Sequence, residues 1–235
     1  MLCGKTDKGK VRTENQDTFS VGNFKDLIYL AVCDGMGGAK GGSVASDICA
    51  KQTISNFKEN YSEEMTEDEI VKLISSSIEK SNDEIFELSN NEASLKGMGT
   101  TIAIVIIRKE RMIIAHVGDS RVYLFKDNNI IRETKDHSFV QEMIDVGELT
   151  AVEAQNHPNK NIITRAVGVN KTITVDVKVE NFNEGDILLN CTDGLTNYIN
   201  DNEICEILKN TKATTDTCQK LIDIALERGG SDNIT

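Results

Sequence analysis

The stretch "TTIAIVIIRKERMIIAHVGD" (100–119) places two apolar, β-branched runs on either side of the three residues "RKE". Such runs read as strands. A connection that short leaves room only for a hairpin, so these strands are antiparallel. Comparable runs at 27–34 ("LIYLAVCD"), 172–179 ("TITVDVKV") and 186–193 ("DILLNCTD") predict further strands. Helical patterns fall between the strand groups. "TEDE" (66–69) is a capping box, and behind it Ile70, Ile74, Ile78, Ile85 and Leu88 recur near a 3.6-residue period. Residues 43–59 also read as helical, as does the segment carrying Cys218, Leu221, Ile222 and Ala225. Segregated strands and helices predict an α+β fold, with helices packed over antiparallel sheets. The polar segment 138–165 interrupts this order and reads as two short helices, either an inert connection or a flap beside a site.

Three of the strand-like runs end alike, "LAVC" in Asp34, "AHVG" in Asp119 and "LLNCT" in Asp193. Asp17 ("NQDTFSV") and Asp232 ("SDNIT") stand at the start of two other strand-like stretches. In an antiparallel sheet the end of one strand lies beside the start of its neighbour, so five scattered carboxylates can meet on one rim. A single aspartate at a strand end is ordinarily a turn former. Five in matching positions ask for more. Gathered without counter-charge they would repel at a cost on the order of several kcal/mol, so either cations bind there or the strands do not converge. An all-oxygen ligand set suits Mg²⁺ or Mn²⁺.

The glycine run "DGMGGAKGG" (34–42) raises the competing idea of a nucleotide loop. It fails as a Walker A motif, because Lys40 is followed by Gly41 and the spacing is wrong. A dinucleotide fingerprint would need a parallel βαβ unit. Gly35 would instead let its carbonyl turn toward a cation held by Asp34. Charge points the same way. With 38 acidic against 26 basic residues the chain carries −12, which argues against nucleic acid or an anionic membrane as partner. No apolar run approaches the ~20 residues that span a bilayer, and the first residues lack the apolar core of a secretory signal. A soluble, cytoplasmic protein of one domain, residues 1–235, is the expectation. Cys3, Cys33, Cys49, Cys191, Cys205 and Cys218 form no C-x-x-C pair, so reduced packing thiols are expected rather than a zinc site. A redox role for Cys33 or Cys191 is the lesser reading.

With these residues assembled, the chain resembles the metal-dependent protein serine/threonine phosphatases of type 2C (the PPM family), in their compact bacterial form. The resemblance rests on eight pieces in family order: "RTENQD" (12–17), "DGMGG" (34–38), "GMGTT" (97–101), "HVGDSR" (116–121), "KDHS" (135–138), "HPNKNIITRAVG" (157–168), "CTDGLTN" (191–197) and "GGSDNIT" (229–235). It implies a four-layer α-β-β-α sandwich of two antiparallel sheets flanked by helices. It further implies that Asp34 bridges two Mn²⁺ or Mg²⁺ ions, that Gly35 supplies a carbonyl, and that Asp193 and Asp232 complete the site. Asp119, with Asp193, would help hold a third, weaker ion. Asp17 would act through metal-held water, and Arg12 would take the substrate phosphate in a charge-assisted fork. The implied reaction is hydrolysis of phosphoserine or phosphothreonine by a water bridging the ions, without a phosphoenzyme.

The implied partners are phosphorylated proteins, including a serine/threonine kinase and its substrates, met by a monomer. The alternative is a non-catalytic module of the same fold that binds phosphoproteins, and the intact acidic set speaks against it. A small-molecule phosphohydrolase shares the same site chemistry. Three positions depart from some relatives. Met36 stands where a histidine has been proposed as general acid, Gln16 where a glutamate binds water, and Asn197 where an aspartate occurs. His116, His137 and His157 read as structural hydrogen bonders, and Arg121 and Arg165 as ion-pair formers. Relatives continue past "SDNIT" with another apolar strand, so the final strand reads as cut short.

Overall fold

The computed structural model describes residues 1–211 and 214–235. Its larger sheet runs in the order β1 (Asp17–Phe24), β2 (Leu27–Met36), β4 (Ile102–Arg108), β5 (Arg111–Val117), β8 (Asp176–Asn181), with the two-residue β3 (Gly99–Thr100) beside the end of β2. A second sheet orders β7 (Asn129–Arg132), β6 (Arg121–Lys126) and β9 (Ile187–Cys191). Every pairing is antiparallel. The β4–β5 hairpin turns at Lys109, whose φ of 56° is the left-handed value a tight turn needs.

Three apolar layers hold the sandwich together. Val32, Ala103, Val105, Met112, Ile114, Val122 and Leu124 fill the space between the sheets. On the outer face of the larger sheet lie α1 (Gly38–Asn60) and α2 (Glu67–Asn91), and Ile70, Ile74, Ile78 and Ile85 form the buried stripe of α2. The Thr66–Glu69 capping box starts that helix. Outside the smaller sheet lie α6 (Asp201–Lys209) and α7 (Thr215–Glu227), packed through Ile204, Leu208, Leu221 and Ile222. The four-layer α-β-β-α sandwich is therefore present. Two short helices, α3 (Phe139–Asp145) and α4 (Ala151–Gln155), lie in the 138–165 segment, as expected.

Four local expectations are corrected. The strand read at 172–179 begins only at Asp176, because the Thr174 carbonyl accepts from the Arg165 guanidinium at 3.1 Å instead of from a neighbouring strand. The strand read at 186–193 stops at Cys191, and Asp193 opens the single-turn helix α5 (Asp193–Thr196). Residues 231–235 pair only through an Asp7–Ile234 bridge. The first helix starts at Gly38, inside the glycine run and earlier than residue 43.

Candidate metal centre

The register of β1 on β2 sets Asp17 directly opposite Asp34. The backbone of Asp34 is clamped from the next strand. Its N–H donates to Thr101 Oγ1 at 2.9 Å, and its carbonyl accepts from the Thr101 N–H at 2.8 Å and from Thr100 Oγ1 at 2.9 Å. Glycine is required in the turn that follows. Gly37 has φ +115°, and a Cβ there would lie 2.5 Å from Met98 Cα. Gly35 is packed between the backbones of Gly42 and Gln16, with no room for a side chain. Close packing of the strand end on α1 thus explains Gly35 as directly as a role for its carbonyl does.

Each remaining carboxylate has its own brace. Asp119 follows Gly118, whose N–H donates to His137 Nδ1 at 3.0 Å and whose carbonyl accepts from the His137 N–H at 2.9 Å. Asn197 donates to Asp193 twice, from its N–H to the carbonyl at 2.8 Å and from Nδ2 to Oδ2 at 3.0 Å. Asp232 Oδ2 pairs with the Arg12 guanidinium at 2.7 Å. Beside it, buried Asn233 joins three segments, accepting from Gln16 N–H at 2.8 Å and donating to the Lys8 and Glu14 carbonyls at 2.9 Å each. Asp17 lies beneath, its Oδ2 accepting from Thr192 Oγ1 at 2.9 Å and Thr235 Oγ1 at 2.7 Å.

Arg12, Asp34, Gly35, Asp119, Asp193 and Asp232 all line one cavity of about 450 Å³, together with Gln16, Met36, Thr101 and, from the flap, Asn161 and Ile163. Among the described residues Arg12 is the only basic side chain in that lining. Electrostatics follow from the crowding. Burial first, and then the neighbouring carboxylates, hold Asp34 and Asp193 above the usual carboxylate range. Burial against the opposing hydroxyl bonds pushes Asp17 up to about 7. Burial and then Asp193 push Asp119 up to about 8. Asp17 Oδ1 and Asp193 Oδ1 are buried with no hydrogen-bond partner. Orphaned carboxylate oxygens in an all-oxygen cluster fit hard divalent cations, which would supply the missing positive charge.

The aspartates named from the sequence gather here, and their supports carry no spacing signal of their own. Thr101, Thr192, Asn233, Asn161 and Ile163 all lie within the pieces that carry the family resemblance, and that placement is the cue to them.

A second cluster, His116, His137 and Asp176, brings potential ligand atoms within 4.8 Å of one another. Its hydrogen bonds argue against a metal there. His137 Nδ1 accepts from Gly118, so Nε2 carries the proton that is shared with Asp176 Oδ2 at 3.2 Å. His116 Nε2 donates to the Lys135 carbonyl at 2.9 Å, and the two rings stack with centroids 4.6 Å apart. Burial holds both imidazoles below their usual value. Asp176 Oδ1 also takes Arg165 at 2.5 Å. His137 and Arg165 bracket the flap, so this cluster fastens its two ends to β8. The ion pairs expected of Arg121 and Arg165 are present, Arg121 meeting Asp136 at 2.6 Å.

A two-sheet sandwich with an acidic, cation-demanding cavity at one rim defines a class of sandwich folds suited to hard divalent cations. The family model for protein phosphatase 2C matches residues 7–229, and the chain belongs to that family. It is 39% identical to a serine/threonine phosphatase, stp, of Listeria monocytogenes over 232 residues, 98% of this chain and 92% of that one. It is 36% identical to protein phosphatase PhpP of Streptococcus pneumoniae, over 98% of this chain and 93% of that one. Among solved structures, Stp1 from Staphylococcus aureus superposes with a TM-score of 0.92 at 34% identity, over 98% and 90% of the two chains. The catalytic domain of the phosphatase PstP, solved with two manganese ions, superposes with a TM-score of 0.83 at 31% identity, over 98% and 93%.

Proposed function

We propose that this chain is a metal-dependent protein serine/threonine phosphatase, acting as one catalytic domain, residues 1–235. Four aspartates from separate segments converging on one cavity, with a buried unpaired oxygen on Asp193 and another on Asp17 beneath, carry the reading. Asp34, Asp193 and Asp232, with the Gly35 carbonyl, would hold two Mn²⁺ or Mg²⁺ ions, and Asp119 with Asp193 a third. When bound, such ions activate water and neutralise phosphoryl oxygens. Asp17, held by Thr192 and Thr235, orients water beneath the site. Arg12 spends one nitrogen on Asp232 and is 54% exposed, which leaves N–H groups free for a phosphoryl oxygen. Met36 holds no proton to give, so the departing serine or threonine oxygen takes its proton from water in the cavity.

The manganese-bound relative and the named phosphatases, which are unlike a degenerate binding module, support this reading. Its substrates are phosphoproteins, and its action opposes a serine/threonine kinase. No helix among the described residues is long and apolar enough to cross a membrane, and a cytoplasmic monomer fits the reading. The test is hydrolysis of a phosphothreonine peptide and an aryl phosphate with Mn²⁺, with and without EDTA. Mn²⁺-dependent turnover that disappears in Asp34→Asn is expected. Inactive wild type, or a fully active Asp34→Asn, overturns the proposal.

A further inference from the structure

The six thiols fall into two groups. Cys33, Cys49, Cys191 and Cys205 are buried, whereas Cys3 and Cys218 are partly exposed. Those two, 215 positions apart in the chain, bring their Sγ atoms within 3.0 Å. The approach has support on both sides. Lys5 Nζ donates to Gln219 Oε1 at 2.8 Å, so the residues next to each thiol are also fastened together. Asp7 pairs with Ile234 through both backbone bonds, at 2.8 and 2.9 Å, which fixes the arm that carries Cys3. The segment bearing Arg12 belongs to the same arm.

We propose that Cys3 and Cys218 form a thiol–disulfide site that a small-molecule disulfide closes, stapling the N-terminal arm to α7. The chemistry balances as two exchanges. The Cys3 thiolate attacks one sulfur of the oxidant, breaks its S–S bond and expels one thiolate. That thiolate takes the Cys218 proton. Cys218 sulfur then attacks Cys3 Sγ, the new S–S bond forms, and the second oxidant thiol leaves, protonated from solvent. The protein loses two electrons and the oxidant gains them. Cys3 makes the first attack because burial, followed by the bond to Cys3, pushes Cys218 up to about 12 and keeps it protonated. Cys33 and Cys49 also contact each other, and burial holds Cys33 well above its ordinary range, out of reach of oxidant.

The test equilibrates the reduced protein in mixtures of reduced and oxidised glutathione, alkylates free thiols and maps peptides by mass spectrometry. Expected is a Cys3–Cys218 cross-linked peptide, with the remaining thiols alkylated only after denaturation. Closing so long a loop raises Tm by roughly 5–15 °C over the dithiothreitol-treated protein. Cys3→Ser and Cys218→Ser keep the reduced protein's circular dichroism spectrum and phosphatase activity and show no oxidative Tm shift. Recovery of all thiols at every glutathione ratio overturns the proposal. So does a lasting Cys3–glutathione adduct, or a Cys33–Cys49 link in place of the expected one.

Discussion

Two titratable clusters stand close together in this fold, and they differ in how completely they are partnered. Asp34, Asp119, Asp193 and Asp232 face one cavity, the first three with raised proton affinities, and with Asp17 beneath they leave two buried oxygens without partners. His116, His137 and Asp176 also lie close together, yet their ring protons already go to a carbonyl and a carboxylate. Proximity of ligand-type atoms therefore does not identify a metal site here. What sets the proposed metal site apart is its unmet demand for charge. The first cluster needs something from outside the chain, and the second already spends its polar groups on holding the flap.

The sharpest way to break this contrast is to neutralise one member of each cluster. Asp34→Asn should lower Mn²⁺-dependent kcat/KM about 10³-fold, since an ion position is worth several kcal/mol of transition-state charge. Asp176→Asn should cost no more than about tenfold, read chiefly in KM for peptide substrates. Equal losses in the two variants would erase the distinction.

Next in size is the effect of the ions on stability. Asp17 and Asp119 bind protons more tightly folded than unfolded, at about 7 and about 8. Between their unfolded values near 4 and these folded ones, the native state holds more protons, so stability without metal falls as pH rises from about 4 to 8. Mn²⁺ should flatten that slope and raise stability by about 4 kcal/mol at a thousandfold excess over its Kd. Thermal melts across pH, in EDTA and in Mn²⁺, measure both, and a pH-independent melt in EDTA would refute the crowded-carboxylate account.

Smaller again is Asn233→Ala, which leaves the Gln16 N–H and the Lys8 and Glu14 carbonyls without their partner. It should cost about 2 kcal/mol in denaturant unfolding and loosen Asp232, raising the Mn²⁺ needed for half-maximal activity. Smallest is the stability change of Asp176→Asn, about 1 kcal/mol, because its carboxylate is 44% exposed and water screens the lost pair.

Where the sequence was legible, the reason is periodicity or chemistry that repeats. Ile70, Ile74, Ile78 and Ile85 announced α2 because a helix with one dry face must place apolar residues at that interval. The strand-end aspartates announced the rim because antiparallel order leaves few other places for them. Asp17 does lie opposite Asp34, whereas Asp193 opens a helix and Asp232 stands outside any strand. What escaped notice depends on contacts between distant segments. Thr101 looks like any strand threonine until β4 lies beside β2 and its hydroxyl meets the Asp34 N–H. Arg165 pulls the Thr174 carbonyl out of a strand that β-branched residues alone would have extended. The β6–β7 hairpin and α6 were not read at all. β6 and β7 span only six and four residues and α6 only nine, so each apolar run is short, and packing against Leu221 and Ile222 makes α6 a layer.

The ion pair between Arg12 and Asp232 joins residues 220 positions apart. A cavity closed by such a contact has no partial version during synthesis. A nascent chain can form the α2 stripe and the β4–β5 hairpin from local contacts while residue 232 is still in the ribosome. The cation site, and any chemistry that depends on it, must wait for that residue to emerge and dock. Until Arg12 and Asp232 meet, the proposed site lacks the ion pair that joins two of its walls.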